Sequence, residues 1–331
     1  MSQFPAIRLR RLRRTTGIRK LLDFEMPSIK KFIWPVFAVP GKGIVDPITT
    51  MPGQSRYSPD ELCKALYPLV KSGLGGVMVF GIPTNGIKDH HGSGASDPQG
   101  IVPETIRTIR SQFPNLTIFA DVCLCAYTSH GHCGPVDDFG SVHNDKALKC
   151  LAEAALCYVN AGADGVAPSA MMDGQVAAIR ESLEKNNHSD TLIMSYSTKF
   201  ASSMYGPFRD AEKSSPSKGD RTAYQTSYAN LSLALRESEL DISEGADMLM
   251  VKPALFYLDV LTKLRDSTKL PIAAFNVSGE YAMLSLMAQH GTGDLNAMVR
   301  ESVISIFRAG ADMIISYWAN QYDAIFLGEK D

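Results

Sequence analysis

Three segments of the chain follow one plan, and that plan limits the possible folds more than any other feature. Residues 161–168 (Ala-Gly-Ala-Asp-Gly-Val-Ala-Pro), 244–251 (Glu-Gly-Ala-Asp-Met-Leu-Met-Val) and 309–316 (Ala-Gly-Ala-Asp-Met-Ile-Ile-Ser) each close a helical stretch, turn on a glycine and enter a short apolar run. Glycine reaches the left-handed conformation that ends helices. The apolar runs are too short for helices and lack the alternation of a half-exposed strand. They read as strands buried on both faces.

The same kind of run recurs at 32–39, 76–82, 116–124, 191–196 and 271–277. Helical stretches at 58–71, 103–112, 145–160, 175–185, 229–244, 255–266, 280–289 and 295–309 fill the gaps. Ser58, Pro59 and Glu61 have the spacing of a capping box with proline at the first helical position. Eight strands alternating with helices predict an α/β chain whose parallel sheet closes on itself, a (β/α)8 TIM barrel. A doubly wound open sheet is the competing arrangement, but no G-x-G-x-x-G follows the first strand. Residues 1–28 read as an extended N-terminal arm making oligomer contacts, and 29–331 as the barrel with a lid at about 200–224.

Composition removes several classes of function. The 331 residues are 45% hydrophobic with net charge −2, enough for a large core and too neutral for nucleic acid as the main partner. No apolar run reaches the roughly 18 residues of a membrane span. The arm carries Arg8, Arg10, Arg11, Arg13, Arg14, Arg19 and Lys20 with no apolar stretch after them, so it does not read as a signal peptide. A mitochondrial presequence and a basic nucleic-acid arm are the alternatives to a solvated or subunit-contacting arm. Six cysteines in this length make no disulfide scaffold and point to a reducing compartment.

In a barrel, chemistry gathers at the carboxyl ends of the strands. Those ends carry Asp121, Cys123 and Cys125 (third strand), Lys199 (fifth), Lys252 (sixth), Ser278 (seventh) and Tyr317 (eighth). Lys252 ends an apolar run directly before Pro253, where its ammonium is poorly solvated and the neutral, nucleophilic amine gains. Lys199 ends the neighbouring strand, and a second cation depresses a lysine further. The bland alternative is a pair of strand-end lysines that snorkel to solvent.

Cys123, Cys125 and Cys133 form C-x-C-x7-C, with His130 and His132 between them. Three thiolates suit zinc with its fourth position open, as in catalytic sites. A disulfide, a free-thiol cluster and a closed Cys3His zinc compete with that reading. Cys63, Cys150 and Cys157 lie in helices and read as small core residues. The segment 200–224 holds Arg209, Lys213, Lys218 and Arg221, a basic lid suited to an anionic substrate or simply a solvated loop. Ser278 could cap the following helix, and Tyr317 could pack with Trp318.

These residues sit in motifs that resemble the delta-aminolevulinic acid dehydratase (porphobilinogen synthase) family over nearly the whole chain. The motifs are Asp121-Val-Cys-Leu-Cys-Ala-Tyr-Thr-Ser-His-Gly-His-Cys-Gly, Ala167-Pro-Ser-Ala-Met-Met-Asp-Gly, Met194-Ser-Tyr-Ser-Thr-Lys-Phe-Ala-Ser, Tyr205-Gly-Pro-Phe-Arg, Lys218-Gly-Asp-Arg, Val251-Lys-Pro-Ala and Val277-Ser-Gly-Glu-Tyr. The resemblance implies a hydro-lyase of tetrapyrrole biosynthesis that joins two molecules of 5-aminolevulinate with loss of two waters. It implies a Schiff base on Lys252, with Lys199 as second active-site lysine and Asp121 beside the metal. It implies one substrate carboxylate on Ser278 and Tyr317, and the other on Arg209, Arg221 and Gln225. Cys123, Cys125 and Cys133 would hold zinc, and Glu237, in Arg236-Glu-Ser-Glu-Leu-Asp, would take an allosteric magnesium. A cytoplasmic homo-octamer with wrapping arms is the implied assembly. Trp318 stands where the family has Phe or Tyr. A class I aldolase explains Lys252 but not the thiols or Lys199, and a silent zinc-binding barrel explains only the thiols.

Overall fold

The computed structural model describes residues 4–217 and 219–328; Lys218, counted above among the lid's cations, lies outside them. Ten strands form one sheet: β1 Phe32–Ala38, β2 Val45–Pro47, β3 Ser55–Tyr57, β4 Gly76–Gly81, β5 Thr117–Val122, β6 Gly165–Pro168, β7 Leu192–Lys199, β8 Met248–Lys252, β9 Ile272–Asn276 and β10 Met313–Ser316. Eight run parallel in the order β1-β4-β5-β6-β7-β8-β9-β10, and β10 pairs back onto β1, with Phe32 opposite Ile314 and Ile33 opposite Ile315. The sheet is therefore a closed barrel, as the alternation predicts. Strand burial is nearly complete, because helices cover the outside and side chains fill the inside.

The helices are α1 Thr16–Leu22, α2 Pro59–Lys71, α3 Ile101–Gln112, α4 Asn144–Asn160, α5 Gln175–Lys185, α6 Gly206–Glu212, α7 Leu231–Ser243, α8 Leu258–Ser267, α9 Ser278–Gln289 and α10 Leu295–Arg308. Asn230 and Asp294 cap α7 and α10 through Leu233 N–H and Ala297 N–H, at 3.0 and 2.7 Å. The capping box expected at Ser58 and Glu61 does not form. Ser58 Oγ accepts from Ile44 N–H and donates to Asp60, while Glu61 pairs with Lys64. The competitor is the β2–β3 hairpin, an insertion after β1 that the sequence pattern does not announce. Among the described residues no helix is long and apolar enough to cross a membrane. Most of the arm up to Glu25 is exposed, Leu21 to 85% and Phe4 to 74%.

The repeated aspartates explain themselves in three dimensions. Asp164, Asp247 and Asp312 stand just before β6, β8 and β10. Each carboxylate accepts a backbone N–H from the preceding strand: Ile118 at 2.8 Å, Ile193 at 2.7 Å and Ile272 at 2.8 Å. Each also takes a guanidinium from a covering helix, Arg110 of α3, Arg180 of α5 or Arg265 of α8, at 2.6–2.8 Å. The preceding glycines, Gly162, Gly245 and Gly310, have φ of +107, +100 and +119°. No other residue type makes that turn cheaply. The repeat is thus a clamp at the amino ends of three strand pairs, opposite the mouth where chemistry gathers.

Asp312→Ala should lower stability by about 1–3 kcal/mol, the worth of a charge-assisted hydrogen bond, and leave turnover unchanged below the unfolding transition. Thermal and urea unfolding check it; a wild-type midpoint would remove the clamp from the account of stability.

Candidate active site

β7 and β8 pair in parallel with Ser195 opposite Leu249, then Thr198 opposite Val251 and Lys199 opposite Lys252. Between those pairs β7 gains one residue, a bulge. Without it Thr198 would face Lys252 and Lys199 would turn to the other side of the sheet. The bulge therefore sets two amines side by side on one face. The strand also runs three residues past the expected end at 196, so Lys199 belongs to it.

Both lysines are buried, Lys199 to 6% and Lys252 to 4% exposure. Lys199 Nζ donates to Ser169 O at 2.5 Å, and Ser169 Oγ donates to Asp121 Oδ2 at 3.1 Å. Lys252 Nζ lies 4.0 Å from the ring centre of Phe275, 4.9 Å from Phe208 and 5.0 Å from Tyr196. The rings favour the cation, but only weakly compared with lost hydration. Burial, then the Lys199 charge, push Lys252 down to about 7, against the pull of Asp121, Glu212 and Cys125. Near neutral pH this side chain is therefore divided between ammonium and free amine. Asp121 is raised by the same burial and held back by the two lysines.

The thiols of Cys123, Cys125 and Cys133 lie within 4.8 Å of one another and are all buried. They are free, so the disulfide reading fails. Hydrogen bonds from Cys123 and Cys125 hold Cys133 well below the usual thiol range, and the cations of Arg221 and Lys199 add to that. Three convergent thiols, one predisposed to ionise, are the donor set of a thiophilic metal. His130 and His132 are not in this cluster: His132 Nδ1 meets Tyr224 OH at 3.1 Å and His130 Nε2 meets His90 O at 3.2 Å. The closed Cys3His alternative is not supported.

The segment expected as a lid is not a bare loop. Phe200 N–H bonds Lys252 O and Thr226 N–H bonds Lys199 O, so both its ends are stitched to the lysine backbones. A 3₁₀ turn, Ser203–Tyr205, and α6 occupy its middle. Arg56, from the hairpin, donates to Ala211 O at 2.7 Å and Asp210 O at 3.1 Å and fixes the end of α6. Arg221 is buried and donates to Gly131 O and Ser214 O. Lys213 is exposed and does not join the site.

Several site atoms are buried with no partner: Asp121 Oδ1, Arg209 Nε, Arg221 Nε, both ends of the Gln225 amide and Tyr317 OH. Burying such groups unpaired is costly, and a polar ligand is one partner that would satisfy several gathered in one place. Arginine forks and an amide suit a carboxylate. Tyr317 also packs, stacked on Phe37 with ring centres 6.1 Å apart, whereas the ring against Trp318 is Tyr281. Ser278 does not cap α9, which it opens as the first helical residue. Its hydroxyl accepts from Phe208 N–H at 2.9 Å and ties α9 to α6. A Cβ on the adjacent Gly279 would sit 2.5 Å from Met204 O, which shows how closely the 200–224 segment approaches.

Glu237 is half-buried on α7, beside a cavity of about 420 Å3 that Asn144, Asp173 and Gln225 also line. Burial, then Asp173 and Glu244, raise its pKa. Among the described residues the cysteines form the only cluster of three or more close ligand side chains. The sequence reading missed the aromatic wall around Lys252, the anchor Arg56, and Glu212. That carboxyl is buried, accepts Ser214 Oγ at 2.5 Å and lies 3.6 Å from Cys125 Sγ. No local signal marks these residues, since each gains its meaning from another strand or loop.

Two buried amines and three convergent thiols at the carboxyl-terminal mouth of a closed barrel define a lysine-bearing (β/α)8 protein with a thiol cluster able to take a metal. A family model for delta-aminolevulinic acid dehydratase matches residues 6–325. The chain is 50% identical over 319 residues to the delta-aminolevulinic acid dehydratase of Methanothermobacter thermautotrophicus, covering 96% of each. It is 45% identical to that of Synechococcus elongatus over 319 residues, covering 96% of this chain and 97% of the relative. The crystal structure of delta-aminolevulinic acid dehydratase (porphobilinogen synthase) from Toxoplasma gondii, in complex with the reaction product porphobilinogen, superposes with a TM-score of 0.95 at 41% identity, covering 97% of this chain and 92% of that one. The chain belongs to the delta-aminolevulinic acid dehydratase family, a family of hydro-lyases.

The depressed lysine has a signed consequence. Below about pH 7 Lys252 is charged and unreactive, and above it the neutral amine saturates. Its acylation rate should climb about tenfold per pH unit below that midpoint and then level off. Competitive labelling with mass mapping checks it; a rate still climbing at pH 10 would mark an ordinary lysine.

Proposed function

We propose that this chain condenses two molecules of 5-aminolevulinate to porphobilinogen with loss of two waters, as a step of tetrapyrrole biosynthesis. The carrying observation is the registered pair Lys199 and Lys252 in a member of this family. The neutral Lys252 amine attacks the ketone carbon of the first substrate. The carbinolamine then takes up a proton and loses its hydroxyl as water, leaving an iminium on Nζ. That cation leaves the former ketone carbon electrophilic toward the second substrate. Water exclusion by the aromatic wall favours the imine over its hydrolysis.

Lys199 stays hydrogen-bonded to Ser169 O, which supports a role in holding and activating the second substrate. Asp121, between the two amines and the thiols, is suited to passing protons there. Ser278 and Tyr317 would bind the first carboxylate, and Arg209, Arg221 and Gln225 the second; the unpartnered atoms of Tyr317, Arg209, Arg221 and Gln225 support this. Cys123, Cys125 and Cys133 would hold zinc, which supplies a Lewis acid and leaves a ligand position open.

Borohydride added with 5-aminolevulinate should trap an adduct on Lys252, alone or with Lys199. Lys252→Ala should lose turnover by orders of magnitude while staying folded, and Cys133→Ala should lose zinc and activity together. A Lys252→Ala enzyme with near-normal turnover would sink the assignment. Activity retained in zinc-free Cys133→Ala would remove the metal from it.

Assembly and regulation extend the same reading. The arm exposes Phe4, Ile7, Leu9, Leu12, Leu21, Leu22 and Phe24, each more than half exposed, which suits contact with further copies in a cytoplasmic homo-octamer. Glu237 and Asp173 offer carboxylate oxygens, the donors magnesium takes, so the cavity beside α7 suits the allosteric ion. Light scattering checks both: removing residues 1–24 should leave a smaller species, and Glu237→Ala should abolish the response of assembly or activity to magnesium. An arm-less octamer, or an unaltered response, would overturn the respective part.

A further inference from the structure

None of the roles above uses Glu280, whose side chain is buried to 0% exposure in the first turn of α9. Its Oε1 accepts Ala254 N–H at 3.1 Å and Leu255 N–H at 2.8 Å. Its Oε2 accepts Asn276 Nδ2 at 2.7 Å and Val277 N–H at 3.0 Å. Asn276 Oδ1 in turn accepts Ser316 Oγ at 3.0 Å, and Ser316 Oγ accepts Trp318 N–H at 3.3 Å. One chain of hydrogen bonds therefore crosses the carboxyl ends of β8, β9 and β10.

The position of that chain matters. Ala254 is two residues beyond Lys252. Ser278 lies between Val277 and Glu280. Tyr317 lies between Ser316 and Trp318. Strand pairing stops at Val251 with Ala274 on one side and at Ser316 with Asn276 on the other. Past those pairs the backbone N–H groups of Ala254, Leu255 and Val277 have no ladder partner, and burial makes each one costly. A single carboxylate takes all three. A buried carboxylate is itself costly unless it is hydrogen-bonded, and four N–H donors offset part of that cost, burial still pushing Glu280 up to about 7. The bonds to Val277 alone would suffice to start a helix. Those to Ala254 and Leu255 do nothing for α9; they fix the turn that carries Lys252 against the turn that carries Ser278.

We propose that Glu280, through Asn276 and Ser316, is a positioning residue that holds Lys252 at a fixed reach from the Ser278–Tyr317 pair. The proposal rests on the Schiff-base and carboxylate roles given above, and its test separates the two. Glu280→Gln keeps the shape but turns an amide N–H toward the donors of Asn276 and Val277, so the β8 and β9 turns separate. Turnover should fall about a hundredfold, as for a displacement near 1 Å. The labelling midpoint of Lys252, read with acetic anhydride and no substrate, should move up from about 7 as the amine leaves its buried seat. Adding Asn276→Asp restores an acceptor opposite the new N–H and should recover part of both.

A folded Glu280→Gln enzyme with an unmoved midpoint overturns the proposal, whatever its melting temperature, because a merely structural residue changes stability alone. A moved midpoint in a chain whose wild type forms no adduct with 5-aminolevulinate supports the positioning frame and sinks the substrate reading instead. If Glu280→Gln does not fold, Ser316→Ala cuts the same chain at its far end and should raise KM several-fold; a wild-type KM there overturns the proposal.

Discussion

Everything at the mouth depends on the hydrogen bonds between β10 and β1. An open sheet of the same eight strands would leave Asp121 and Tyr317 on opposite flanks. Closure through Phe32–Ile314 and Ile33–Ile315 curls the sheet until the ends of β5 and β10 face one another. Once the ring is shut, the carboxyl ends form a crowded rim with little water. That exclusion changes the acidity of the site's lysine and thiols. The opposite rim carries the Asp–Arg clamps, which join strand pairs with ordinary charge-assisted bonds and ask nothing of the chemistry. Stability and reactivity are thus assigned to different ends of one barrel.

The mouth holds an uncomfortable density of charge. Lys199, Lys252, Arg209 and Arg221 face Asp121, Glu212 and three thiols, nearly all of them buried. Burial alone penalises every ion there, and only mutual compensation keeps the set tolerable. The compensation is uneven. Lys199 finds a carbonyl and Arg221 finds two, whereas Lys252 is ringed by aromatic carbon and is pushed toward neutrality. Two lysines of similar sequence context are separated into a reactive amine and a hydrogen-bonded neighbour by what surrounds them.

How much of this was legible follows from the range of each signal. A lysine at the end of an apolar run, cysteines at C-x-C-x7-C and a glycine after a helix are local patterns; the first two led to residues the structure keeps at the mouth, and the third to the clamps at the opposite rim. The cap at Ser58 failed because the β2–β3 hairpin, with no period of its own, brought Ile44 to compete for the hydroxyl. Ser278 looked like a cap for the same reason: its partner, Phe208, is 70 residues away. The lid read as loose because its stitches to β7 and β8 are backbone bonds that carry no side-chain signature.

The sequence by itself determined the number and order of the eight barrel strands, the turns that end their helices, and the identity of the residues at the strand ends, because period and propensity act over a few neighbours. The motifs it carries also determined the family. Only the tertiary structure decided that β7 bulges by one residue and so turns Lys199 to the side of Lys252. It alone decided that five aromatic rings from β4, β7, β9 and the lid surround one amine, and that Glu280 joins three strand ends. Those are relations between distant segments, and desolvation, which sets the chemistry, exists only after they have met.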